Sequence, residues 1–166
     1  MKCAKLIGLF SLLVLSLPAF SQTEEIDLRH PPVANYYLNS KYKYRYAILQ
    51  FDEIRNKNLF DKSYKASAVS LNEIKEIEHL IKKQVSVFNR TAINVIVKPE
   101  KYFKQFIAVT NSKGEKLVWV NCLCEVFGDV WKKRIPVVND GGSCFFQMKI
   151  NLTKSVAYDF YTNGPG

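Results

Sequence analysis

The residues of this chain whose types could do chemistry are two histidines, four cysteines and one run of alternating tyrosines and cations. His30 lies in a polar stretch near the start, and His79 lies inside a helical pattern. A Cys–His nucleophile would have to join one of them to a distant cysteine, and nothing in the spacing arranges that. His79 has no Cys, Asp or Glu in metal-ligand register and reads as a solvated surface side chain. Cys122-Leu123-Cys124 is C-x-C, not C-x-x-C, and no second pair completes a zinc site. Phosphate-loop, G-x-S-x-G and H-E-x-x-H patterns are missing from the sequence. Asp140-Gly141-Gly142 imitates a glycine-rich anion loop, but no helix follows it. The expectation is a protein without catalytic residues, cofactor or metal. In Lys41–Phe51, KYKYRYAILQF, Tyr42, Tyr44 and Tyr46 fall on one side of a strand. Lys41, Lys43 and Arg45 fall on the other, which gives a surface suited to an anionic ligand. The competing and commoner use is an edge strand whose charges discourage edge-to-edge pairing.

Those residues must be positioned by one domain, the expectation for 166 residues. Residues 1–21 read as a signal peptide: Lys2 and Lys5, an apolar run Leu6–Phe20, and Ala19-Phe20-Ser21 before a cut at Gln22. The run is short against the roughly 20 residues that span a bilayer, so no membrane span is expected in the mature chain. Cys3 is too early to carry a lipid after cleavage. The chain is thus expected to be exported, to the periplasm or outside the cell. Residues 22–39 are a polar lead-in with Pro31-Pro32, and 40–163 form the domain. Losing Lys2 and Lys5 lowers the formal charge from +9 to +7. A basic surface attracts anions, of which nucleic acid is the least expected outside the cytoplasm.

One helix stands out at Ser70–Asn89. Ser70-Leu71-Asn72-Glu73 forms a capping box, and Leu71, Ile74, Ile77, Ile81, Val85 and Phe88 make an apolar stripe. Glu78 and Lys82 stand as an i,i+4 pair. After Arg90 the period changes to two. Ile93–Val97 reads as a short strand before Pro99. Tyr102–Thr110 and Glu115–Cys124 read as a hairpin around Asn111-Ser112-Lys113-Gly114. Its register pairs Phe103 with Leu123, Ile107 with Trp119 and Val109 with Leu117. Both of its faces are apolar. Trp131–Ile150 reads as a second hairpin turning at Asp140-Gly141, with Val137 opposite Cys144 and Trp131 opposite Ile150. A last strand, Val156–Tyr161, puts Val156, Tyr158 and Phe160 on one face. Asn151-Leu152-Thr153 matches a glycosylation sequon. The fold class is α+β, one amphipathic helix packed on a four- or five-stranded antiparallel meander.

In such a meander Cys122 and Cys144 lie on the order of 20 Å apart along the strands. A disulfide needs Cα atoms within about 7 Å, so Cys144 is expected to make none. With three cysteines after cleavage, at least one thiol is unpaired in any case.

One helix followed by antiparallel strands resembles the cystatin-like or NTF2-like style of fold. The series VNCLC, a Trp-Lys-Lys strand, NDGGSCFF, INL and a terminal YTNG resembles small exported bacterial proteins of unassigned function, over Tyr102–Gly164. Cystatin inhibitors carry a Q-x-V-x-G hairpin. Here Lys83-Gln84-Val85-Ser86-Val87 lies in the helix instead. The expected function is a non-catalytic binding module. An NTF2-like enzyme with a pocket inside the sheet and a cystatin-like protease inhibitor are the alternatives. The helix is expected to cover the face with Ala108, Val118, Val120, Cys122 and Cys124. Phe103, Ile107, Leu117, Trp119 and Leu123 are then left to anchor a protein partner, a second copy or an apolar ligand.

Overall fold

A computed structural model describes residues 45–164. The expected signal peptide, the lead-in with His30, and Lys41, Tyr42, Lys43 and Tyr44 lie outside them. Strand β1 (Tyr46–Ile48) is followed by β2 (Lys65–Ser67), helix α1 (Leu71–Phe88), and strands β3 (Phe103–Thr110), β4 (Lys116–Leu123), β5 (Phe145–Asn151) and β6 (Val156–Thr162). They form one α+β sheet in the order β1-β3-β4-β5-β6, with β2 on the same edge of β3 as β1. The sheet is six-stranded and mixed, since β1 runs parallel to β3 while all other pairs are antiparallel. The expected antiparallel meander is therefore β3–β6 alone.

Helix α1 starts where its chemistry says it should. Ser70 Oγ accepts from the Glu73 amide at 3.3 Å, and Glu73 Oε2 accepts from the Ser70 amide at 2.7 Å. Ile74, Ile77, Leu80, Ile81 and Val85 are buried. Leu71 sits before the helix reaches the sheet and is exposed, while Leu80 takes a place in the core that the stripe had not included. The β3–β4 hairpin has the expected register throughout, Phe103 on Leu123 to Thr110 on Lys116. Phe106, Ala108, Val118, Val120, Cys122, Phe146, Met148 and Ile150 meet the helix. Cys124 does not, being exposed beyond the end of β4.

Ile93–Val97 is not a strand. Glu78 does not serve Lys82: its carboxylate receives Lys104 Nζ at 3.0 Å and the Tyr46 hydroxyl at 2.8 Å. Lys104 is fully buried, and a buried ammonium captures the nearest carboxylate more strongly than a solvated one does. The hairpin Trp131–Ile150 does not form. Pro136 has no amide to give a central strand, and Lys132-Lys133-Arg134 would burden its face. Instead β5 pairs directly with β4, Phe146 on Cys122 and Ile150 on Val118. Gly141 and Gly142 do take positive φ, 88° and 53°, but they open a 3-10 turn, Gly142–Cys144. A Cβ on Gly141 would lie 2.7 Å from the Phe145 ring. In β6 a bulge at Asp159, φ 50°, shifts the alternation. Ala157 and Phe160, not Val156, therefore pack toward the helix.

Candidate binding site

With β4 and β5 adjacent, their connection becomes a long loop, and its ends coincide. Leu123 pairs with Phe145, so Cys124 and Cys144 are the next positions out. Their Cα atoms are 5.0 Å apart and the sulfurs are bonded. The expected lack of a Cys144 disulfide is thus overturned, because it placed an extra strand between the two cysteines. Among the described residues Cys122 is the unpaired thiol. Burial pushes its pKa far upward, against the pull of neighbouring Lys104, so it stays protonated.

The loop is pinned from within. Trp131, in the 3-10 turn Val130–Lys132, is 4% exposed and clusters with Ala47 and Leu123. The Phe103 ring meets it edge-on at 5.3 Å. Gln105 is buried on the sheet and donates from Nε2 to the carbonyls of Trp131 and, at 2.7 Å, Arg134. Asn121 Nδ2 donates to Gln105 Oε1 at 2.9 Å, fixing that amide's orientation. Asn163 Nδ2 donates to the Val138 carbonyl at 2.7 Å and that of Asp140 at 3.1 Å. Lys132 lies 2.7 Å from Asp129 and holds that carboxyl below its usual range.

This frame encloses an apolar pocket of about 320 Å³. Leu123, Trp131 and Phe145 come from the fixed frame; Val126, Phe127 and Val130 come from the loop. Glu125 and Arg134 supply charge at the same pocket. Three apolar side chains on this loop face solvent: Phe127 at 84%, Val130 at 64% and Val137 at 89% exposure. Fixed apolar walls with a few polar groups suit an apolar ligand or side chain.

The sequence-derived anchors divide between two places. Leu123 lines the pocket and Phe103 supports it. Trp119, Ile107 and Leu117 are 3%, 1% and 5% exposed, beneath Phe51 and Phe60 of this same chain. The sheet face expected to be open is covered, because the segment after β1 folds back over it. Asn56 locks that segment: its side chain accepts from the Asp52 amide at 2.8 Å. Lys41 and Lys43 lie outside the described residues. Arg45 is exposed and donates to the Lys101 carbonyl. Val137 lies in the stretch that reads as a hairpin strand, where Pro136 is the contrary signal; Phe127 and Val130 precede that stretch, and no local pattern marks them. Asn151 of the sequon is 6% exposed and donates to Glu115, so it cannot present its amide to a glycosylating enzyme.

Neither this pocket nor the open groove beside α1 is lined by Glu78 or Lys104. That buried pair joins helix to sheet. His79 is exposed, and no three metal-ligating side chains cluster among the described residues. No described helix is long and apolar enough to cross a membrane. Compared with known proteins, the chain matches no family model, no curated protein and no solved structure.

Proposed function

We propose that this is an exported, non-catalytic binding module, with a cystatin-like or NTF2-like arrangement of helix on sheet, which takes an apolar group into the pocket of the Cys124–Cys144 loop. The observation carrying this reading is the exposure of Phe127, Val130 and Val137 on a loop otherwise held by a disulfide and the Gln105 and Asn163 amides. A loop held that firmly sacrifices little freedom on binding. Exposed apolar side chains around a preformed pocket reward whatever removes them from water. The charged pair Glu125 and Arg134 would orient a ligand that carries a polar end. The signal peptide and a disulfide-bearing loop both fit an oxidising compartment.

The test uses indole and hexanoate as probes in amide-resolved NMR titrations. Shifts confined to residues 123–138 and 145, and lost in Val130→Glu, support the reading. Val130 is exposed, so thermal stability should be unaltered. Absent shifts, or shifts that survive the substitution, would count against it.

A further inference from the structure

The turn that follows α1 carries a second apolar surface, built on the opposite principle from the pocket. Asn89 caps the helix and then grips Ile96 twice. Its Nδ2 donates to the Ile96 carbonyl at 2.9 Å, and its Oδ1 accepts from the Ile96 amide at 2.9 Å. Ile96 is 2% exposed. In an extended chain neighbouring side chains point to opposite sides, so burying Ile96 turns its neighbours outward. Val95 is 48% and Val97 62% exposed, and Ile93, on the preceding bend, is 99% exposed. Val87 adds a further aliphatic at the last turn of the helix, 48% exposed.

Basic residues lie beside this tip: Lys98 follows Val97 in the chain, and Lys82 and Arg90 share a groove with Ile96. Lys82, Lys83, Arg90, Lys98 and Lys101 are all exposed, and none makes an ion pair among the described residues. Arg45 joins them through its bond to the Lys101 carbonyl. Lys82 and Ser86, one turn apart on α1, and Arg90, just past its Asn89 cap, line an open groove of about 570 Å³. Ile96 and Pro99 line it as well, and Glu100 is its one carboxylate.

We propose that this surface docks on an anionic lipid bilayer. Ile93, Val95 and Val97 enter the acyl boundary, and the groove between Lys82 and Arg90 receives a phosphate headgroup. A side chain as exposed as Ile93 stands on a convex tip. A partner protein would need a matching concavity, whereas a bilayer accepts such a tip as it is. Aliphatic side chains beside Lys and Arg are the combination that interfacial docking requires. This inference concerns a different surface and ligand from the pocket and stands or falls separately.

The experiment is co-sedimentation with vesicles, using protein with the same N-terminus in every variant. Vesicles contain phosphatidylcholine with or without phosphatidylglycerol. The wild type should bind the phosphatidylglycerol vesicles, and the binding should weaken with salt. Arg90→Gln with Lys98→Gln should lower the partition roughly twenty-five-fold, about fivefold per charge. Ile93→Ser, Val95→Ser and Val97→Ser together should lower it by at least about tenfold with the melting temperature unchanged. Equal binding by the serine variant would mean the attraction is electrostatic alone and would overturn the insertion. Displacement by glycerol phosphate, or preference for polyglutamate over vesicles, would overturn the bilayer as the ligand. No binding at low salt would overturn the whole proposal.

Discussion

Replacing Cys124 and Cys144 by serine tests how the binding loop is held. The bonded residues are 20 apart in sequence. Closing a loop of that length in the unfolded chain removes entropy worth about 3 kcal/mol at 25 °C. The native loop keeps its other ties, the carbonyls of Trp131, Arg134, Val138 and Asp140 on Gln105 and Asn163. Most of the loss should therefore appear as a more favourable unfolded state. Urea denaturation is the assay. The midpoint should fall by an amount corresponding to about 3 kcal/mol, and the slope should rise, because an uncrosslinked unfolded chain exposes more surface. Reduction of the wild type should reproduce the effect, while Cys122 stays unalkylated until the protein unfolds, since its thiol is buried and protonated. A loss under about 1 kcal/mol with unchanged slope would refute the entropic account. Alkylation of Cys144 in the native, unreduced protein would refute the linkage itself.

The Glu78–Lys104 pair should behave as a buried ion pair does. Glu78→Leu alone should cost about 3–5 kcal/mol by stranding the buried ammonium, and Glu78→Leu with Lys104→Met should recover most of it; two losses that simply add in urea denaturation would contradict this. Glu73 should contribute to the acid limb of stability. Burial pushes its carboxyl pKa up, but Lys116 at 2.6 Å and the Ser70 hydrogen bonds outweigh that and leave it lowered. A lowered native pKa stabilises fully above the ordinary value of 4.5, and that contribution disappears as pH falls through the native value. Glu73→Gln should accordingly flatten the loss of stability on acidification, and an unaltered profile would show that the pair does nothing.

The parts legible in the sequence were those fixed by neighbours along the chain. The capping box Ser70–Glu73 and the turn Asn111–Gly114 each involve a few consecutive residues, and both formed as read. The β3–β4 register followed from that turn. The apolar character of both hairpin faces was also read correctly, but its cause was not local. Phe51, at the end of the run that reads as an edge strand, and Phe60, in the stretch after it, cover Trp119. The loop 124–144 failed for the same reason. Glycine at 141 and 142 announces left-handed backbone, yet a two-residue hairpin and a 3-10 turn both use it. Only the pairing of β4 with β5 decides between them, and with it the disulfide. Lys104 sits on the strand face assigned to the helix, but its burial depended on Glu78 and Tyr46 arriving from elsewhere.

The parallel pairing of β1 with β3 has a consequence for assembly. Parallel neighbours cannot be joined by a tight turn, so Tyr46 reaches Lys104 only after the whole of α1 has been laid between them. The pairs β3–β4 and β5–β6 close over short connections and need nothing from β1. Distant contacts carry the larger loop-closure cost and tend to form late. Ala47→Gly should then speed unfolding while leaving the refolding rate nearly unchanged. On this account the part of the described chain that the ribosome makes first should be the part that settles last.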